Sequence, residues 1–387
     1  MGEWRPLAGP SRQVALEILL DGPLSRAELS RRVGLSPGSL TRLTKPMVES
    51  GLLVEVEGGP TDARVGRPSQ PLDLDAHAHH FVGIKLTGDS AIGVLTTLRA
   101  DVLATVERPI TDATPSAVVD LVLALTDELA IQVPGGQHGI KDLAISGLGV
   151  SLGGRVVDRS EVRLAQYLNW VDVPFGELLA AHTNVPIVIA NDLTSLVEAT
   201  HWFGAGRNSD RFVLLTIGAG VGYGLVIHNR VVDSPDITLG LVGHHPLLHD
   251  GPRCDRGHRG CALSLLTVGA VTSQVGAALG REVGYDEALD LAAKGDPAAR
   301  EIVGRAGRAL GKLIAASANF TMPELVVLGG EGVRLAEVAH DELLAGLHAN
   351  RHPSAAELSM VLQPADFGEW ARGAAVVAIQ TFVLGIE

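Results

Sequence analysis

From Phe81 onward the chain repeats one pattern: an apolar run, a glycine or polar pair, then a segment of helical period. "DLAISGLGVSL" and "ELVVLGGEGV" run from strand into glycine. "VPIVIANDLTSLVEATHWFGAG" passes from a buried strand through a polar pair into a helix, and "RFVLLTIGAGVGYGLVIHNRVVD" is a hairpin with glycines at its bend. "FVGIKLTG", "AIGVLTTL" and "DVLATVERPI" read as consecutive strands, and "PSAVVDLVLALTDELAIQV" as a helix. Repeats of this kind restrict the fold to the α/β class, with ligands at the carboxyl ends of strands. The 46 glycines and the 4% aromatic content agree, favouring tight turns over an aromatic-rich β-sandwich. At 387 residues, with 46% hydrophobic and 19% charged, the chain suits two or three domains with a real core.

Several classes are excluded early. Cys254 and Cys261 are the only cysteines, so no disulfide framework exists. The opening "MGEWRPLAGPSRQ" has no apolar signal segment, and the uncharged run "CALSLLTVGAVTSQVGAALG" contains Ser, Thr, Gln and glycines. That run reads as a buried helix, so a soluble, cytoplasmic protein with no membrane partner is expected. A net charge of −13 argues against nucleic acid binding over the whole surface but leaves room for a basic module.

Residues 1–78 supply such a module. Ser25 and Glu28 form an S-x-x-E capping box, Leu29 and Val33 share a face, and Gly34 ends a short helix. Ser36 caps the next helix with Pro37 in its first turn; Leu40, Leu43 and Met47 face inward. Ser39, Thr41, Arg42 and Lys45 occupy the opposite face. Pro46 predicts a kink or a restarted helix, and Gly51 a stop. "LLVEVE", "GGPTDAR" and "SQPLDLD" read as strand, turn and returning strand, with Arg64 and Arg67 near the tip. This is a winged helix-turn-helix, with Ser36, Ser39, Thr41, Arg42, Lys45, Arg64 and Arg67 as its DNA-binding residues. Six basic residues between Arg12 and Lys45 face three acidic ones, which supports double-stranded operator DNA as partner. The competing reading of the module is a small protein-interaction domain.

The order "GLGVSLGG", "ANDLTSLVEA", "LLTIGAGVGYGLVI", "GLVGHHPL", "CDRGHRGC" and "ELVVLGGEGV", behind a winged helix, resembles the ROK family of repressors, open reading frames and sugar kinases. The Gly-Arg-Pro of "VGRPSQPLDLD" resembles its repressor branch. The resemblance implies a winged helix-turn-helix followed by a two-lobed actin/hexokinase-like ATPase fold with a ligand cleft, in dimers or tetramers. The boundaries expected are 1–78 for the DNA-binding domain and 79–387 for the ROK domain. Within the latter, the small lobe takes 79–193 with 371–387 and the large lobe 194–370.

The resemblance also places site residues. Asp192 matches the family's catalytic base and Asn191 its sugar-binding neighbour, although Asn-Asp after a buried strand is also an ordinary helix cap. The family's first phosphate loop reads like "GIDLGGT"; here "GIKLTGD" puts Lys85 at the metal-holding acid, Thr87 at a glycine and Asp89 at the threonine. Lys85 repels magnesium and Asp89 repels phosphate, so kinase activity and any ATP or magnesium requirement are expected to be absent. The hairpin "GAGVGYG" keeps Gly218, Gly220, Gly222 and Gly224.

In the family's E-x-G-H motif Leu241 stands for glutamate, while Gly243 and His244 match; Leu263 replaces a second glutamate. The effector-binding candidates are Asn191, Asp192, His244 and Asn169, for a sugar or sugar-derived effector; the two leucines make the cleft more apolar, which leaves open a modified or larger sugar, a non-sugar or no effector at all. The zinc loop C-x-C-G-x-x-G-C-x-E reads here C-D-R-G-H-R-G-C-A-L, leaving His244, Cys254 and Cys261 as zinc ligands. Arg256 holds the middle cysteine's place and cannot ligate. Either His258 is the fourth ligand or Arg256 itself replaces the ion.

Three functions compete on this reading: a DNA-binding transcriptional regulator with a non-catalytic sensing domain for carbohydrate-related genes, a sugar kinase carrying a DNA-binding domain, and a constitutive DNA-binding protein with a vestigial cleft.

Overall fold

The computed structural model describes residues 6–56, 70–132, 145–234 and 236–386. Arg64, Arg67 and the Gly-Arg-Pro lie outside the described residues. The chain divides into two compact units, Met1–Phe203 with Gly368–Glu387, and Gly204–Phe367.

The first unit opens with helices α1 (Gly9–Asp21), α2 (Arg26–Arg32) and α3 (Pro37–Glu49), followed by the antiparallel pair β1 (Leu53–Glu55) and β2 (Leu72–Leu74). This is the expected winged helix-turn-helix. Ser25 accepts a hydrogen bond from the Glu28 amide and Ser36 from the Ser39 amide, so both caps form. The Glu28 carboxylate does not reach back to complete the box; it bonds Arg32 at 3.0 Å. The helix does not restart at Pro46, because α3 runs through it. Pro46 lies on the exposed face, where water can satisfy the carbonyl that loses its amide donor. Buried Thr44 joins Leu40 and Met47 on the inner face, its hydroxyl returning to the Leu40 carbonyl at 3.0 Å.

The main sheet of this unit contains β3 (His80–Leu86), β4 (Ser90–Thr97), β5 (Val102–Pro109), β6 (Ile145–Leu152) and β10 (Ile187–Asn191), in the order β10-β6-β3-β4-β5. The pairs β10–β6 and β6–β3 are parallel, while β3–β4 and β4–β5 are antiparallel. A small sheet of β7 (Arg155–Val157), β8 (Glu161–Ala165) and β9 (Trp170–Val173) follows β6, then α5 (Phe175–Ala180); α6 (Asp192–Phe203) follows β10.

Two helices cover the faces of the main sheet. Helix α4 (Pro115–Ala130) lies over Gly93, and the C-terminal helix (Phe367–Phe382) lies on the other face. The latter sits directly on backbone: a Cβ at Gly83 would lie 2.0 Å from the Ala371 carbonyl oxygen, and one at Gly149 1.9 Å from that of Ala374.

The winged helix shares a core with this lobe. Val14, Ile18 and Leu19 of α1 are buried in one cluster with Ile379, Val383 and Leu384. The Leu7 amide donates to the Val383 carbonyl at 2.8 Å, and Arg99, in the β4–β5 turn, bonds both Asp73 of β2 and the Ile18 carbonyl.

The second unit is built on β11 (Arg211–Ile217), β12 (Val221–Ile227), β13 (Arg230–Val231), β14 (Leu325–Gly329) and β15 (Ser359–Leu362), ordered β13-β12-β11-β14-β15. Its helices are α7 (Ala262–Leu266), α8 (Val268–Leu279), α9 (Tyr285–Ala293), α10 (Pro297–Thr321), α11 (Arg334–Val338) and α12 (His340–Ala349). The uncharged run from Cys261 is therefore two helices and not one. Thr267 leaves helical geometry at ψ 152° and caps α8 through the Ala270 amide. No helix among the described residues is long and apolar enough to cross a membrane.

Candidate functional site

On α3, Thr41, Arg42 and Lys45 are exposed, Ser39 is half-buried and Ser36 is the cap. Arg42 approaches the Ser39 hydroxyl at 3.4 Å, and Lys45 lies 3.7 Å from Glu49 on open surface. Counting cations overstates what faces outward. Arg26 pairs with Glu55, and Arg32 with Asp21, Glu17 and Glu28, the Asp21 hydrogen bond raising its pKa most. These arginines are neutralised within the module, leaving Arg42 and Lys45 to present charge from the recognition helix.

In the first unit, β10 ends at Asn191 and α6 begins at Asp192. Asn191 does cap: its carboxamide oxygen accepts the Thr194 amide at 3.1 Å, while its nitrogen donates to the Gly154 carbonyl at 2.9 Å. Asp192 spends Oδ1 on the Leu193 amide at 2.8 Å and Oδ2 on the ammonium of Lys85. Lys85 is 5% exposed, and its Nζ stands 5.3 Å from the ring centroid of Trp370. An internal cation therefore neutralises the acid at this position and adds a cation–π contact.

The rest of the first loop closes on itself. The Thr87 hydroxyl bonds Asp89 Oδ1 at 2.8 Å and the Ser90 carbonyl at 3.0 Å, with Asp89 exposed. Asn169 is exposed and has φ +57°, a left-handed position that asparagine tolerates, closing the turn Gln166–Leu168.

In the second unit, the β11–β12 hairpin turns at Gly218–Gly220, with the Gly218 amide on the Gly220 carbonyl at 2.9 Å. The Glu331 carboxylate follows β14 and accepts the Ala219 amide at 2.8 Å; a Cβ at Gly218 would lie 2.3 Å from its carboxyl atoms. An anion of the chain itself thus occupies the backbone donor that a glycine bend offers to phosphate. Leu241 is 62% exposed and Leu263 packs on Gly243, so both positions are apolar in place as well as in sequence.

The cysteine loop is tightly drawn. The Cys254 amide donates to the His258 carbonyl and the Gly257 amide to the Cys254 carbonyl, both at 2.9 Å. Ligand atoms of His244, Cys254 and Cys261 all lie within 4.8 Å of one another, with Cys254 Sγ 3.8 Å from His244 Nδ1. A tetrahedral zinc with Zn–S about 2.3 Å and Zn–N about 2.0 Å has an S–N edge of about 3.5 Å. The three residues therefore fit a metal ion. His258 Nδ1 stands 3.1 Å from His244 Nδ1, near the N–N edge of about 3.3 Å for such a site. Arg256 is exposed. Burial first, then the charges of His258 and Arg256, lower the pKa of His244, which favours the neutral, ligating imidazole.

Sequence reasoning found Lys85, Asp192, the leucines and the loop, but missed Trp370 and Glu331. For Glu331 the signal was present: a carboxylate interrupts the glycines of "GGEG" directly after a buried strand.

A winged helix-turn-helix joined to an α/β domain with a glycine hairpin and a histidine–dicysteine loop defines a DNA-binding protein carrying a ligand-binding domain of the sugar-kinase type. The chain belongs to the ROK family, whose profile matches residues 81–380, and a winged helix-turn-helix DNA-binding profile matches residues 15–54. It is similar to the DNA-binding transcriptional repressor Mlc of Escherichia coli, at 24% identity over 82% of this chain and 79% of the relative. It is also similar to the DNA-binding transcriptional dual regulator NagC of the same organism, at 28% identity over 80% of this chain and 77% of the relative. A crystal structure of a ROK family transcriptional regulator, a homologue of E. coli Mlc, superposes with TM-score 0.81 at 24% identity, covering 98% of each chain. The fold is the actin/hexokinase-like one preceded by a winged helix.

Proposed function

We propose that this protein is a transcriptional regulator, most simply a repressor of carbohydrate-related genes. Residues 1–78 read operator DNA and residues 79–387 sense a sugar-derived effector without phosphorylating it. Two copies, or a dimer of dimers, place two recognition helices on successive half-sites. Arg42 and Lys45, with Ser36, Ser39 and Thr41 beside them, supply phosphate and base-edge contacts. Asn191, Asp192, His244 and Asn169 supply the polar contacts to the effector.

The observation that carries the non-catalytic reading is the buried pair of Lys85 and Asp192. A base must take a proton from a sugar hydroxyl, and this carboxylate already holds an ammonium and an amide. Glu331 on the hairpin argues in the same direction, since nucleotide phosphate would meet a carboxylate there. His244, Cys254 and Cys261, with His258 as fourth donor, would hold zinc as a structural clamp on this loop. Such an ion supplies rigidity, and no chemical step passes through it.

The test is selection of bound genomic DNA by the purified protein, followed by titration of mono- and oligosaccharides against the complex. Release of the operator by a carbohydrate is expected, with no ADP formed from ATP in a coupled assay with the same sugars. Sugar-dependent ADP production would overturn the non-catalytic reading, and an operator indifferent to every sugar would overturn the sensing role.

A further inference from the structure

Cys254 and Cys261 are the only cysteines of the chain, both are free, and one loop holds them with unequal access to solvent. Cys254 is half-buried in an open stretch, since Asp255, Arg256, Gly257, His258 and Arg259 are all exposed. Cys261 is 0% exposed at the start of α7, its Sγ 3.6 Å from the Ser264 hydroxyl. The ligand atoms of His244, Cys254 and Cys261 lie within 4.8 Å of one another, so the two sulfurs need to close by less than about 3 Å to bond.

The backbone leaves that movement to one end. Cys261 is tied down: it bridges Pro246, and the next amide, of Ala262, donates to the His245 carbonyl at 3.0 Å. Cys254 sits at the tip of a short hairpin whose arms meet at Arg253 and Arg259. Gly257 turns the tip with φ +83°, and nothing lies within 4 Å of where its Cβ would be. An accessible thiol at a loose tip beside a buried, fixed one is the arrangement of a reactive and a resolving cysteine. With no third cysteine in the chain, oxidation has a single intramolecular disulfide as its product.

We propose that Cys254 and Cys261 are a peroxide-sensitive modification site, which closes as a disulfide and opens the zinc clamp proposed above. Cys254 Sγ attacks one oxygen of hydrogen peroxide: the S–O bond forms, the O–O bond breaks, and the departing hydroxide leaves as water. Cys261 Sγ then attacks the sulfenic sulfur: the S–S bond forms, the S–O bond breaks, and a second water leaves. The two sulfurs give up two electrons and the peroxide is reduced to two waters. The two protons come from the thiols, or from solvent where a metal held the thiolates. Both sulfur donors are lost to the ion together, and His244 with His258 falls short of four N/S ligands. Arg256 supplies no replacement. The loop passes the change on, because the Leu247 and Leu248 amides both donate to the Gly260 carbonyl and Leu263 packs on Gly243. An oxidant is thereby an input to the segment that carries His244, separate from any sugar. The release of zinc rests on the clamp reading, and the disulfide does not.

The test uses full-length protein purified in reductant, freed of it and titrated with hydrogen peroxide. Thiols are counted in denaturant, mass is read on the intact chain, and zinc release is followed with a chromophoric chelator. Both thiols should disappear together, with the mass lower by two hydrogens, no link between chains on a non-reducing gel, and zinc released in step. Dithiothreitol should restore both thiols. In Cys261→Ser the same peroxide should leave a sulfenic acid on Cys254 that dimedone traps, while in Cys254→Ser the buried Cys261 should keep its thiol. Added oxygen on the unaltered chain, links between chains, or thiols that survive excess peroxide overturn the proposal. Equal reactivity in the two variants overturns the roles given to the two cysteines, and a disulfide formed with zinc retained overturns the release. If the untreated protein holds no zinc and still forms the disulfide, the clamp reading fails and the modification site stands.

Discussion

Lys85→Met tests whether the internal cation is a structural replacement for catalytic chemistry. The substitution keeps chain length and removes the charge that Asp192 faces. Breaking one side of a buried ion pair costs about 3–5 kcal/mol. Asp192 is 16% exposed and keeps the Leu193 amide at 2.8 Å, so the lower end, about 3 kcal/mol, applies. Asp192→Asn strands a side-chain ammonium that is only 6% exposed, so about 4 kcal/mol is expected. The double variant Lys85→Met/Asp192→Asn removes both charges and should return to within about 1 kcal/mol of the parent.

The assay is favoured by the sequence. The second unit, Gly204–Phe367, contains no tryptophan, and Trp170, Trp202 and Trp370 belong to the first, so tryptophan fluorescence follows the first unit's unfolding without interference from the second. With a urea slope of about 3 kcal/mol/M, a loss of 3 kcal/mol lowers the midpoint by about 1 M. If each single variant lies within about 1 kcal/mol of the parent and the two effects simply add, the pair is solvent-screened and the reasoning fails.

Three further outcomes are expected. Arg42→Ala should weaken operator binding and reduce the salt slope by about 1, and unchanged binding would remove α3 from the groove. His80 is 6% exposed and neither ring nitrogen has a hydrogen-bond partner among the described residues; burial, then His77 and His79, lower its pKa. The unfolded chain therefore gains its proton first, so stability is lost as pH falls from about 6.5 to the depressed folded value. The urea midpoint should drop between about pH 7.5 and pH 5.5 and drop less in His80→Leu; equal drops would place the dependence elsewhere. Metal analysis should find about one zinc per chain, reduced in Cys254→Ser, and a content near zero would exclude the clamp.

Local signals carried far in this chain. The caps at Ser25 and Ser36 and the strand that ends in Asn191 could be read because each depends on residues within four positions. Departures at Lys85, Leu241, Leu263 and Arg256 could be read as changes of chemistry at known places. What Lys85 does could not be read, since its acceptor lies 107 positions away and its aromatic neighbour belongs to the C-terminal helix. Thr267 was misread for a different reason: a threonine can cap where periodicity suggests continuity.

The C-terminal helix has a genetic consequence. Its first turn places Trp370 beside Lys85, and the residues that follow its last turn, Val383 and Leu384, are buried with α1 of the DNA-binding module. Sixteen residues at about 1.5 Å each span about 24 Å. Selections for constitutive or effector-blind alleles should therefore recover changes in codons 370–384, far along the gene from the module they disable. Second-site suppressors of such alleles should fall in α1 and at Arg99, and a screen confined to the first 78 codons would miss the C-terminal side of this contact.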